Sequence, residues 1–262
     1  MRIYFFRFIH YVQHLIVSKT SFSIHSPFVW SFYNEVLRSR ISVANQILIE
    51  QKREKYLADT SEVRHFDVGA SSDTPTVKHL RIADIAKTSL KSKKEVKFLY
   101  RLANYYHCKN IIELGTSLGI SSMYLASAST TSTVYSLDAS TQIQHLARQA
   151  ARQIKISNIQ FIEGNFDAEL PALLDSITTF DFAFVDGNHT YDATIRYFQL
   201  FKKYASNISF IVFDDIYWSK QMKQAWKEIK SDAAVTISID LYSMGLVFFR
   251  KENTKQHFSF RI

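Results

Sequence analysis

The chain has 262 residues, of which 47% are hydrophobic, 15% aromatic and 21% charged. That balance excludes an intrinsically disordered chain and suits one large α/β domain with an accessory segment. Cys108 is the single cysteine, which excludes an internal disulfide and a cysteine-based zinc cluster and fits a reducing, cytoplasmic setting. The formal charge of +8 admits an anionic partner such as nucleic acid, but much of the excess lies in "VKHLRIADIAKTSLKSKKEVK", residues 77–97, where lysines are spaced as on the solvated face of a helix.

The N-terminal "MRIYFFRFIHYVQHLIVSK" is interrupted by Arg2, Arg7, His10, Gln13 and His14, so no apolar run approaches the ~20 residues of a spanning helix. It reads as an amphipathic helix packed on the body or on a partner, with a membrane-surface helix as the alternative; a homodimer through N-terminal helices is the assembly this segment admits. Helical spacing continues to about residue 60, broken at "HSPF", residues 25–28, since proline disfavours helix at the residue before it. "FDVGASSDTPT", residues 66–76, has the composition of a loop, and the basic helix follows. Residues 1–94 are thus expected to form a helical N-terminal segment.

From residue 110 the pattern changes. "NIIEL" (110–114), "TVYSL" (133–137), "NIQFI" (158–162), "FDFAFV" (180–185) and "ISFIVF" (208–213) read as strands separated by helical stretches, which predicts a mostly parallel sheet covered on both faces. "VTISID" and "GLVFFRK" are separated only by "LYSM" and predict a closing antiparallel hairpin. The fold class expected is α/β, doubly wound and Rossmann-like, with seven strands. The boundaries are a domain over 95–253 and a tail over 254–262.

In such a sheet ligands sit beyond the carboxyl ends of the strands. The loop "IIELGTSLGISS", residues 111–122, lacks the G-x-G-x-x-G spacing of a dinucleotide site and the Gly-Lys-Ser/Thr end of a phosphate loop, which disfavours both ligands. What remains is E-x-G-x-x-x-G at Glu113, Gly115 and Gly119, with Asp138 at the end of the second strand, a carboxylate suited to the two hydroxyls of a ribose. On these residues and the terminal hairpin, positions 95–250 resemble the class I S-adenosylmethionine-dependent methyltransferases. The resemblance implies that Glu113, Gly115, Thr116, Ser117 and Gly119 line the methionine part of that cofactor. It further implies that Asp138 and Ala139 meet the ribose, and that Gly164, Asn165 and Phe166 border the adenine. Many members have a glycine where Ser117 stands; the catechol O-methyltransferase-like branch lacks it too. In the residues alone, the glycines also suit a plain strand-to-helix turn, and Asp138 a helix cap.

Acids also end the fourth and fifth strands: Asp186 in "FAFVDGNH", and Asp214 and Asp215 in "FIVFDDIYW". With these strands adjacent, as the family order implies, the three carboxylates converge on a hard-oxygen site for Mg²⁺ or Mn²⁺ beside the cofactor, with Asp186 serving both. A cation would lower the pKa of an acceptor hydroxyl, and His189, three residues past Asp186, would take its proton. Some sugar O-methyltransferases have histidine there. Asp215 and His189 equally suit helix caps. The function expected is cation-assisted O-methylation of a small-molecule hydroxyl, on a sugar or catechol-like diol. An RNA methyltransferase is the alternative, although no Asn-Pro-Pro-Tyr motif or cysteine pair supports it; a noncatalytic S-adenosylmethionine-binding protein is another. In the related enzymes N-terminal helices cover the site and choose the substrate, so the resemblance implies that residues 1–94 form such a cap, with His25, Tyr33, Tyr217, Trp218 and the loop at 67–73 as candidate acceptor-pocket residues.

Overall fold

Short apolar runs become strands and the amphipathic stretches between them become helices in the structure, a computed structural model that describes residues 2–20, 24–40, 42, 44–67 and 76–261. In chain order the elements begin with α1 (Arg2–Val17), α2 (Pro27–Ser31), a π-helical turn at Phe32–Leu37, α3 (Gln46–Ala58), β1 (Glu62–Asp67) and β2 (Thr76–Arg81). They continue with α4 (Ile82–Ser89), α5 (Lys93–Tyr105), β3 (Asn110–Leu114), α6 (Ile120–Ala126), β4 (Thr133–Asp138), α7 (Thr141–Gln153), β5 (Ile159–Glu163) and α8 (Phe166–Ile177). The last are β6 (Phe180–Val185), α9 (Tyr191–Tyr204), β7 (Ala205–Asp214), α10 (Lys220–Ser231), β8 (Ile237–Asp240), β9 (Met244–Phe248) and β10 (Gln256–Ser259). No described helix is long and apolar enough to cross a membrane. The principal sheet is mostly parallel with eight strands, and the chain divides into two units, residues 39–176 and residues 1–38 with 177–262.

In the unit of residues 39–176, β3, β4 and β5 lie side by side in parallel, Ile112 opposite Tyr135 and Leu137 opposite Ile162. Ile111, Ile112 and Leu114 are all fully buried, as expected of a strand covered on both faces, which is why its sequence is nearly continuously apolar. The basic stretch at 77–97 is not one helix. Residues up to Arg81 form β2, antiparallel to β1, and two helices follow. A capping box starts the second: the Ser92 side chain accepts from Glu95 N, while the Glu95 carboxylate accepts from Ser92 N. This start signal breaks the lysine periodicity into separate elements.

In the unit of residues 1–38 and 177–262 the strand order is β10-β8-β9-β7-β6. β7 runs parallel to β6, and β9 lies antiparallel between β7 and β8, so the hairpin expected around "LYSM" is present. The eighth strand, one more than the sequence suggests, is β10 from the C-terminal tail, parallel to β8. Its core is aromatic: Phe182 stacks on Phe210 with centroids 4.6 Å apart, and Phe210 on Phe248 at 5.4 Å. "HSPF" marks a helix start, with Pro27 at the first turn of α2 and the Ser26 side chain accepting from Val29 N at 3.4 Å. α1 is pinned to the sheet by His14, which is buried and sits 3.1 Å from Asp240 Oδ1 and 3.0 Å from the Phe260 carbonyl oxygen.

Candidate active site

The loop between β3 and α6 turns through positive φ at Gly115 (103°), Ser117 (44°) and Gly119 (75°). At Gly119 the glycine is required twice over, since a Cβ there would also stand 2.7 Å from Ala147 Cβ on α7. The loop is tied to β4 along its length. Gly115 N and Thr116 N both donate to the Leu137 carbonyl, at 2.9 and 3.2 Å, and the Thr116 hydroxyl meets the Ser136 hydroxyl at 2.7 Å. Asp138 accepts from Ser117 N at 2.8 Å on one carboxylate oxygen and from Ser140 N at 2.9 Å on the other. Its carboxylate is thereby fixed at the tip of β4, half-buried, with the loop drawn over it. A carboxylate can accept further hydrogen bonds alongside these two.

Glu113 is fully buried and accepts from the hydroxyls of Ser122 and Ser136, the latter at 2.6 Å. Its carboxylate braces α6 and β4 from inside, and these bonds hold it at the base of the loop. Ala139 is half-buried in the turn after Asp138. Gly164, with φ 150°, donates its N–H to the Asp138 carbonyl at 3.0 Å, and the Glu169 side chain packs where its Cβ would be. Asn165 is exposed and caps α8, its side-chain oxygen accepting from Asp167 N at 2.8 Å, and Phe166 beside it is half-buried. Ser136 and Ser140 carry the loop geometry without any sequence signal of their own, and Ser117 is reached only through the family resemblance. Only the glycines and Asp138 stand out along the chain.

In the other unit, Asp186 follows β6 and Asp214 ends the neighbouring β7, so the two strand tips bring both acids to one end of a parallel pair. Asp186, His189 and Asp214 each offer a ligand atom, and these atoms lie within 4.8 Å of one another. His189 Nε2 stands 3.5 Å from Asp186 Oδ1; the side chains are 27% and 12% exposed. Asp215 is not part of this group. It leaves the strand through a left-handed turn (φ 54°), its N–H donating to the Ser243 carbonyl at 2.7 Å and its carbonyl accepting from Trp218 N at 2.8 Å. Neither Asp215 nor His189 caps a helix: Ser219 caps α10, accepting from Met222 N at 3.1 Å, and Thr190 holds the N-cap position of α9.

The acceptor-pocket candidates are dispersed. Tyr33 is buried against Phe260, His25 is exposed, and the Tyr217 hydroxyl donates to Asp240 at 2.7 Å. Trp218 is 43% exposed under the Arg7 guanidinium, 4.4 Å from its ring centroid. Residues 68–73 of the loop lie outside the described residues.

Residues 112–216 match the family model described as a methyltransferase domain. Over that span the chain is similar to this family. Its matched span opens inside β3 and closes two residues after Asp214, taking in the glycine loop, Asp138, Gly164 and the Asp186, His189 and Asp214 group. Solved structures share the architecture. The O-methyltransferase TomG of Streptomyces achromogenes, solved with S-adenosylmethionine, is 16% identical with a TM-score of 0.60, covering 83% of this chain and 96% of that one. An O-methyltransferase of Bacillus cereus, solved with S-adenosylhomocysteine, is 17% identical with a TM-score of 0.58, covering 84% and 97%. A putative O-methyltransferase of Klebsiella pneumoniae is 13% identical with a TM-score of 0.57, covering 84% and 96%. At these identities the likeness is one of fold, a mostly parallel sheet in which β9 lies antiparallel. A curated relative, the uncharacterized protein R132 of Acanthamoeba polyphaga mimivirus, is 36% identical over 81 residues, and the match spans 29% of this chain and 37% of that one.

Proposed function

We propose that the protein transfers a methyl group from S-adenosylmethionine to a hydroxyl oxygen of a small molecule, a sugar or catechol-like diol, with help from a divalent cation. The observation that carries this reading is Asp138, a half-buried carboxylate held at the tip of β4 by Ser117 N and Ser140 N, at 2.8 and 2.9 Å. An anion so placed suits a neutral diol and repels a phosphate, which is what a nucleoside cofactor without phosphates requires. The solved relatives with S-adenosylmethionine or S-adenosylhomocysteine support the same cofactor.

S-adenosylmethionine, when bound, would supply an electrophilic methyl on sulfur, with the sulfur as leaving group. The chain's own part is to hold the cofactor and manage the acceptor proton. Asp138 would anchor the ribose, the backbone of Gly115–Gly119 would line the methionine end, and Gly164, Asn165 and Phe166 would border the adenine. Glu113 positions the loop from beneath. Nδ1 of His189, the ring nitrogen that does not face Asp186, accepts the hydroxyl proton, while Asp186 stabilises the imidazolium. Two carboxylates and one imidazole form a donor set that fits Mg²⁺ through the oxygens alone and Mn²⁺ with the histidine included. The cation would polarise the acceptor hydroxyl. The acidic group speaks against nucleic acid as the acceptor, and with the exposed aromatic stripe of α1 as a contact surface the reading extends to a homodimer.

Calorimetric titration with S-adenosylhomocysteine tests the reading. Asp138→Ala should weaken binding by roughly 10- to 100-fold, the worth of hydrogen bonds to a charged group, and a chelator should remove transfer to a diol without removing cofactor binding. Wild-type protein that takes up no cofactor sinks the proposal, and transfer that survives chelation removes the cation from it.

A further inference from the structure

Within the unit that holds β8 and β10, a cavity of about 530 Å³ lies along α1 and α10 and is lined by His10, Lys19, Lys223, Lys230, Asp240 and His257 among others. Its two α10 lysines are each held by a histidine. Lys223 Nζ lies 3.3 Å from His10 Nε2, and Lys230 Nζ lies 3.3 Å from His257 Nε2. In both cases the other ring nitrogen has its own oxygen partner, Gln13 Oε1 at 2.8 Å for His10 and Ser238 Oγ at 2.9 Å for His257. The consistent assignment makes each imidazole neutral, donating from Nδ1 and accepting from the ammonium at Nε2. A neutral imidazole aims a lysine without cancelling its charge.

The carboxylate in the lining is engaged chiefly by other partners. Asp240 accepts from the Tyr217 hydroxyl at 2.7 Å, Trp226 Nε1 at 3.1 Å and Tyr242 N at 2.9 Å, and pairs with His14 at 3.1 Å. Among the described residues no carboxylate comes within ion-pair distance of Lys19, Lys223 or Lys230. Burial and the charges of Lys223 and Lys227 push the Lys230 ammonium below its usual range, against the pull of Asp240. Lys19 and Lys223 are exposed and Lys230 is half-buried, but on a plain solvated face no histidine would spend its acceptor nitrogen on orienting a lysine, as both do here.

We infer that this cavity is a binding site for a phosphoryl-bearing small molecule, gripped by Lys223 and Lys230, with Lys19 also in its lining. The two α10 lysines are seven residues apart, roughly 10 Å along the helix, a span that favours a ligand with more than one anionic oxygen cluster over a single carboxylate. Across β9, Asp214 lies opposite Met244 and Asp240 opposite Gly245, so the cavity and the acidic group stand at the same sheet end, about 10 Å apart on strand spacing. The phosphoryl group therefore has two sources: the free anion, or an acceptor that carries one. The site itself does not depend on the transferase reading; the second source does.

Titration calorimetry on the full chain, without S-adenosylmethionine, tests this with inorganic pyrophosphate in one arm and glucose 1-phosphate in the other. Wild-type protein should bind at least one probe with an affinity that falls as salt rises. The double variant Lys223→Gln, Lys230→Gln should bind at least about tenfold more weakly, since charge-assisted contacts are lost, whereas Lys251→Gln, outside the cavity, should bind as the wild type does. Tighter binding of glucose 1-phosphate assigns the site to an acceptor-borne phosphate, and tighter binding of pyrophosphate to the free anion. If neither probe binds, or the double variant binds equally well, the inference is overturned. Cofactor uptake is read in a separate titration, so failure of one reading leaves the other standing.

Discussion

At the scale of single residues, neighbours in sequence part company. Asp214 and Asp215 are adjacent, but Asp214 is buried at the end of β7 within reach of Asp186 and His189, while Asp215 turns away through a left-handed conformation. Successive side chains of a strand leave on opposite faces, so an acidic pair at a strand end rarely delivers both members to one site. His189 has two roles open to it, ligand or base, and they separate experimentally. With His189 as the base, His189→Ala should lower turnover by about 10²–10⁴-fold and leave Mn²⁺ affinity and S-adenosylhomocysteine affinity within error of wild type. A large loss of Mn²⁺ affinity would instead make it a ligand.

Among the elements, α1 is held to the sheet by one buried cluster. His14 bridges Asp240 and the Phe260 carbonyl, the Tyr242 hydroxyl donates to the Arg7 carbonyl at 2.7 Å, and Lys19 N donates to the Ser259 carbonyl at 2.8 Å. The side chains of His14 and Asp240 are only 4% and 3% exposed, so removing one leaves the other in the interior with one partner fewer. His14→Ala should destabilise this unit by about 3 kcal/mol, the lower end for breaking a buried pair, because Tyr217, Trp226 and Tyr242 still serve Asp240. Urea unfolding measures the loss, and hydrogen exchange should show α1 opening first. Unchanged exchange in α1 would mean that its packed aromatic residues, not His14, hold it.

For the whole molecule, acid should act in two stages. Removal from water and the Lys230 ammonium push the His257 imidazole from 6.5 down to about 4. The unfolded chain therefore binds the extra proton first, and the stability from this group, full above the unfolded value, falls as pH drops from 6.5 towards 4. The second stage belongs to carboxylates. Burial raises Glu50, Asp232 and Asp240, but hydrogen bonds from Tyr124 to Glu50, from Lys202 to Asp232, and from His14 and Tyr217 to Asp240 outweigh it, so all three are held below their usual values. Their contribution is present above the unfolded values of 4.5 for Glu50 and 3.8 for the aspartates and is lost below them. Thermal unfolding between pH 8 and pH 3 should show both stages, and His257→Gln should flatten the first while sparing the second. An identical first stage in that variant would refute the assignment.

The strands from β3 to β9 and the closing hairpin were legible because their signals are local: apolar runs long enough to cross a sheet, and "LYSM" too short for anything but an antiparallel return. The glycine loop and Asp138 were legible for the same reason, since positive φ and a strand-end acid leave marks on individual positions. β10 was not, because four residues, "QHFS", become a strand only by pairing with β8. Nor was the hairpin of β1 and β2, whose lysine, histidine and arginine positions fit a helix face as well. The cationic cavity lay furthest from view: Lys223 meets a histidine 213 residues away, and Lys230 one 27 residues away. Sequence by itself determined which segments extend, coil and turn, since those follow from each residue's backbone preference and its neighbours' polarity. Tertiary structure alone decided which acids converge and which lysines meet a histidine, because proximity across the fold is set by long-range packing that no local window contains.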